Sequence, residues 1–78
     1  MSTFEKLRYA IAQTLEVPPE AIAATSSAGD IAGWDSLGHV NLMISIEQTF
    51  DVQLDVEDFP KLTSVPAILE YLKSKGIA

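Results

Sequence analysis

Apolar residues recur at helical spacing in some stretches of this chain and lose that spacing in others. Phe4, Leu7, Ile11 and Leu15 stand three or four positions apart, which predicts a helix over residues 3 to 16 with that stripe buried. Ser2, with Glu5 three residues later, has the form of a capping box. Val17-Pro18-Pro19 stops the helix, because a residue before proline disfavours helical geometry and proline lacks the amide to continue it. A second periodic run covers residues 36 to 50, where Leu37, Val40, Ile44 and, around the side, Met43, Ile46 and Phe50 give a broad apolar face. Asp51 starts a loop, and "DVQLDVEDF" predicts a short helix near 56 to 60 with Asp55 as its cap. The last helix is expected after Thr63-Ser64, accepts Pro66 in its first turn and ends near Gly76. Val65, Ile68, Leu69 and Leu72 line its inner face.

The expected fold is all-α: a small four-helix bundle of three main helices and a short third helix, with a long loop between helices one and two. That loop, residues 17 to 34, exceeds the ~2–8 residues that usually join helices in bundles, so it must either pack its own apolar residues or serve function. Ile22 and Ile31 are its expected anchors, and Trp34 is the expected plug where the loop meets the bundle.

Size and charge narrow the functions open to such a bundle. A chain of 78 residues forms one domain, 1–78, whose thin core leaves little room for a deep active site. Its 47% hydrophobic content argues for a folded domain in spite of a net charge of −6. With no cysteine and one histidine it has neither a disulfide nor a multi-histidine metal site, so no metal is expected. "DVEDF" has the acids of a calcium loop but lacks the turn glycine and the closing glutamate, which leaves at most a weak calcium-tuned surface. A pI of 4.4 disfavours nucleic acid as a partner. The N-terminal residues lack a signal-peptide core and no run reaches the ~20 apolar residues of a membrane span, so a cytoplasmic monomer is expected. The acidity is concentrated: residues 35–58 hold Asp35, Glu47, Asp51, Asp55, Glu57 and Asp58 with no lysine or arginine. Such a face is either solvated surface or a docking surface for proteins with basic patches.

The segment that opens the acidic region, "GWDSLGHV", places Ser36 at the start of the second helix. A hydrolase elbow needs G-x-S-x-G; Gly38 fills its second glycine position, but Trp34 stands where the first belongs. His39 lies within helical reach of Ser36, yet the pair still needs a third group, an oxyanion hole and a dry site. Catalysis is therefore not expected. Asp35 fits the helix N-cap, worth ~1 kcal/mol over alanine. That leaves the Ser36 hydroxyl unassigned and puts Gly38 at N3, where glycine costs on the order of 1 kcal/mol against alanine. Gly38 is expected to leave space for a large group on Ser36. A phosphodiester there would face free amides at the positive end of the helix dipole. Cap and attachment point both remain open on these grounds.

"DSL" at residues 35 to 37, opening an acidic helix after a long loop, together with the tract "FDVQLDVEDFPKLTSVPAILEYL" at 50 to 72, resembles the acyl carrier protein family over essentially the whole chain. The resemblance implies that a phosphopantetheinyl transferase esterifies Ser36 with 4′-phosphopantetheine from coenzyme A, making a phosphoprotein whose arm carries acyl chains as thioesters. It implies a carrier rather than an enzyme, recognised by acyl-loading and acyl-processing enzymes with basic patches. Asp35 and Leu37 match the family's flanking positions, and Val40, Asn41, Ile44 and Glu47 are the further partner-recognition candidates. Left exposed, Val40, Met43 or Ile44 would form the apolar centre of a docking patch. Asn41 and Gln48 replace acids that carriers of fatty acid biosynthesis hold in this helix. The segment "GWDSLGHV" looks more like stand-alone carriers of specialised pathways such as polyketide biosynthesis, and Asp35 leans away from peptidyl carriers. The rival from another class is an unmodified acidic helical interaction module, for which Ser36 is a replaceable first-turn residue.

Overall fold

The computed structural model describes residues 2–77. Three α-helices, α1 (Thr3–Leu15), α2 (Ser36–Phe50) and α3 (Val65–Ser74), are joined by segments that carry short 3-10 turns. The expected short third helix is a 3-10 helix, Val56–Lys61, which holds Pro60 within it. Among the described residues there is no strand, only an isolated bridge between Ser27 and Ser64.

Each long helix starts on a side-chain cap. Ser2 Oγ accepts from the Glu5 amide at 3.1 Å. The Glu5 carboxylate grips the Arg8 guanidinium at 3.1 and 3.2 Å, so the return arm expected of a capping box is spent on an ion pair. Ser64 Oγ accepts from the Ala67 amide at 3.1 Å, and Pro66 sits in the first turn, where its missing amide costs nothing. Asp55 does stand before the short helix, but its side chain makes no cap hydrogen bond. Helices α1 and α2 end on Glu16 and Asp51 in the left-handed region, at φ 57° and 53°. Gly76 takes that region after α3, with the Ile77 amide reaching back to the Leu72 carbonyl at 3.0 Å.

The core is filled by Leu7, Ile11 and Leu15 from α1, Leu42, Met43 and Ile46 from α2, and Val65, Ile68 and Leu72 from α3. Phe4, Phe50 and Leu69 pack partly buried against it. Ile22, Ile31 and Trp34 bury themselves as the loop's apolar residues predict. The bridge pins the loop to the start of α3 through Ala28 N to Thr63 O and Val65 N to Ser26 O, both 2.8 Å. The hydroxyl of buried Ser26 accepts from the Ala23 amide at 2.9 Å.

The broad apolar face of α2 is divided between core and surface. Leu37, Val40 and Ile44 are 72%, 45% and 47% exposed, while Leu42 and Met43 are fully buried. The helix is rotated so that its second apolar stripe points inward. Leu42→Ala should therefore cost ~2–5 kcal/mol in urea unfolding, as for a buried leucine. Leu37→Ala should stay within ~0.5 kcal/mol of the parent, as for a surface site. The reverse order would show that the Leu37 side of α2 faces the core.

Candidate attachment site and docking face

The loop delivers Ser36 to the surface by a tight approach to α2. Gly33 adopts φ +85°, which L side chains rarely take. Its carbonyl oxygen lies where a β-carbon on Gly38 would stand, and Leu15 Cδ2 would lie 3.1 Å from that carbon. Gly38 is therefore required by the loop backbone and by α1. This corrects the expectation that it clears space for a group on Ser36. The glycine cost in helix propensity is offset by the close approach it permits, and the approach fixes how α2 starts.

Asp35 caps the helix through Oδ1, which accepts from the Gly38 amide at 2.8 Å. Its carboxylate thus turns toward the first-turn amides. Ser36 follows at N1 and is exposed, as is Leu37. A cleft of about 330 Å³ opens beside the serine, lined by Ala28, Trp34, Asp35, Ser36, His39 and Thr63. Trp34 is buried and closes the loop onto the bundle. Its Nε1–H donates to His39 Nδ1 at 2.9 Å, and His39 Nε2 lies 2.7 Å from the Phe59 carbonyl oxygen. Phe59 is twenty residues from His39, so that contact gives no local signal in the sequence.

The structure brings Leu37, Val40, Asn41 and Ile44 onto the exposed side of α2, where they continue from Asp35 and Ser36. Exposed Val56, at 76%, adds a further apolar surface from the short helix, which sequence reasoning missed. Glu47 is placed differently. Its half-buried carboxylate accepts the Leu54 amide at 2.9 Å and braces the loop after α2. Asp58 is also engaged, with the Tyr71 hydroxyl at 3.1 Å and Lys61 at 3.7 Å. Asp51, Asp55 and Glu57 remain exposed.

The family model described as the phosphopantetheine attachment site matches residues 5–72. The chain belongs to the acyl carrier protein family of phosphopantetheine-attachment domains. The acyl carrier protein of Bdellovibrio bacteriovorus is 36% identical over 78 residues, covering 100% of both chains. That of Syntrophus aciditrophicus is 32% identical over 77 residues, covering 99% of this chain and 96% of its own. The solution structure of holo acyl carrier protein from Geobacter metallireducens superposes with a TM-score of 0.80 at 28% identity, over 96% of this chain and 86% of that one.

This carrier bears covalent 4′-phosphopantetheine and serves as a substrate of other enzymes rather than as an enzyme. It works with acyl-processing enzymes and acyl chains. The unmodified interaction module is disfavoured. Among the described residues no helix is long and apolar enough to cross a membrane. The residues at the start of α2 fit the group: an exposed hydroxyl, an adjacent cleft and first-turn amides whose dipole favours an anion.

Because Gly38 is set by packing, Gly38→Ala should destabilise the carrier by ~1–3 kcal/mol, the usual range for overpacking, and lower its melting temperature. A rise in stability, the outcome for a solvent-facing helix glycine, would show that the Gly33 contact does not constrain α2.

Proposed function

We propose that Ser36 is the residue that receives phosphopantetheine and that residues 1–78 act as one carrier domain in the cytoplasm. The observation that carries this is the exposed Ser36 hydroxyl at the first turn of α2, beside a cleft and outside the core. Asp35 prepares the site by holding the first turn in helical register through the Gly38 amide. The Ser36 and Leu37 amides at the helix start favour the arm's phosphate. When bound, the arm supplies a thiol that carries acyl groups as thioesters. The chain contains no cysteine, so its own side chains supply no competing thiol.

The phosphopantetheinyl transferase and the acyl-loading and acyl-processing enzymes approach along α2. Leu37, Val40 and Ile44 form the apolar centre of that face, with Asp35 and Asn41 beside it. Exposed Asp51, Asp55 and Glu57 supply negative charge that steers basic partners. Glu47 has a smaller part in docking than its sequence position implies, because it braces Leu54. A face with Asn41 and Gln48 in place of acids relies more on apolar contact than on charge. That balance supports service to a specialised acyl or polyketide pathway over primary fatty acid biosynthesis.

Incubation with a phosphopantetheinyl transferase and coenzyme A should add the mass of one arm to the parent, followed by intact mass spectrometry. Ser36→Ala should fold with unchanged stability and gain nothing; equal modification of that variant would refute the assignment. For the docking face, Leu37→Ala and Ile44→Ala should each raise the transferase KM about fivefold, the equivalent of ~1 kcal/mol at a contact residue. The KM of the parent should also rise with salt, as screening weakens steering. Unchanged KM in both variants would move the docking surface off α2.

A further inference from the structure

Trp34 and His39 line the cleft beside Ser36 with their ring planes 21° apart and their centroids separated by 6.2 Å. An indole nitrogen can only donate, so His39 Nδ1 must accept the Trp34 Nε1–H, at 2.9 Å. A carbonyl oxygen can only accept, so His39 Nε2 carries the proton and donates it to Phe59, at 2.7 Å. Both neighbours select the same neutral tautomer. One imidazole thereby ties together the end of the long loop, α2 and the short helix Val56–Lys61.

A second proton on this ring has one place to go. It must bind Nδ1, and imidazolium donates from both nitrogens. Nδ1–H and Trp34 Nε1–H would then face each other across the same contact, donor against donor, while the bond to Phe59 survives. The charged groups around the ring are already committed. Asp35 shares the cleft, but its carboxylate accepts the Gly38 amide. Asp58, next to Phe59 on the short helix, is held by Tyr71 of α3 and by Lys61. Neither carboxylate is hydrogen-bonded to the imidazole. The remaining cleft residues, Ala28, Ser36 and Thr63, carry no charge.

We infer that His39 is a positioning residue for Ser36 and works only while its ring is neutral: a proton on Nδ1 releases Trp34 and frees the loop end behind the serine. The effect on attachment rests on the proposed role of Ser36; the latch itself does not. Trp34 is buried, so an indole N–H released in place would be a buried donor without a partner, and the side chain must move to find one. That movement falls where it matters. Trp34 follows Gly33, whose carbonyl seats against Gly38, and stands two residues before Ser36. The stabilising bond is present with the neutral ring and is lost as pH falls through the histidine range.

The test follows the ring nitrogens of His39 and the indole N–H of Trp34, each the sole residue of its type, by NMR from about pH 8 to about pH 5. The parent should show the Nε2–H tautomer at the upper end, and its indole resonance should shift with the same midpoint as His39. His39→Gln, whose amide can accept from Trp34 and donate to Phe59 but takes up no proton, should keep the indole resonance fixed. Modification by a phosphopantetheinyl transferase is then measured for both chains at about pH 7.5 and about pH 5.5. The ratio of parent to His39→Gln cancels the transferase's own titration and that of the α-amino group. At the lower pH the parent KM should rise about fivefold against His39→Gln, as for one lost hydrogen bond, with kcat unchanged. His39→Ala, which lacks both bonds, should show the raised KM at both pH values. An Nδ1–H tautomer at neutral pH, or an indole resonance that does not follow His39, would overturn the latch. A moving indole with a constant KM ratio would overturn the positioning role alone. Equal modification of Ser36→Ala would overturn the attachment reading and leave the indole titration standing. The parent titration decides the latch by itself should His39→Gln fail to fold.

Discussion

The contact between the Gly33 carbonyl and Gly38 is the constraint on which the rest of the structure depends. A backbone oxygen seated against the first turn of a helix tolerates no side chain there, and it fixes the rotation of α2 relative to the loop. From that rotation follow the burial of Leu42, Met43 and Ile46 and the exposure of Leu37, Val40 and Ile44. Ser36 stands on the outward side of the same turn. Loop packing, core composition and the presentation of the hydroxyl are consequences of one close approach.

The long loop is therefore a structural member rather than a tether. Ile22, Ile31 and Trp34 sink into the core, and the bridge at Ser27 ties it to the start of α3. Side-chain hydrogen bonds from two helices hold the short 3-10 helix: His39 of α2 reaches Phe59, and Tyr71 of α3 reaches Asp58. Irregular segments thus surround Ser36 and are held by a few polar contacts, while the three long helices supply the apolar core. Segments held this way open at lower free energy than the core they cover.

Helix boundaries were legible in the sequence because caps and breakers are local: Ser2, Pro18, Asp35, Ser64 and Gly76 all mark ends that the structure has. The inward face of α2 was not legible. Its apolar residues lie on more than one side, so periodicity alone could not choose between the Leu37–Val40–Ile44 stripe and the Leu42–Met43–Ile46 stripe. The choice was made by the Gly33 approach, which depends on a positive φ and on Leu15 of another helix. The contacts of Glu47 with Leu54 and of His39 with Phe59 were not legible for a related reason, since those partners belong to later segments. The serine itself needed no tertiary information. Its neighbours Asp35 and Leu37 and the downstream tract carried the resemblance that the family match bears out.

The central claim is that this helix start presents Ser36 as the attachment residue. Fragmentation mass spectrometry of the modified parent chain measures it most directly, because it locates the arm on one residue. The account predicts a single arm on Ser36. An arm on Ser26, Ser27 or Ser45 would contradict it.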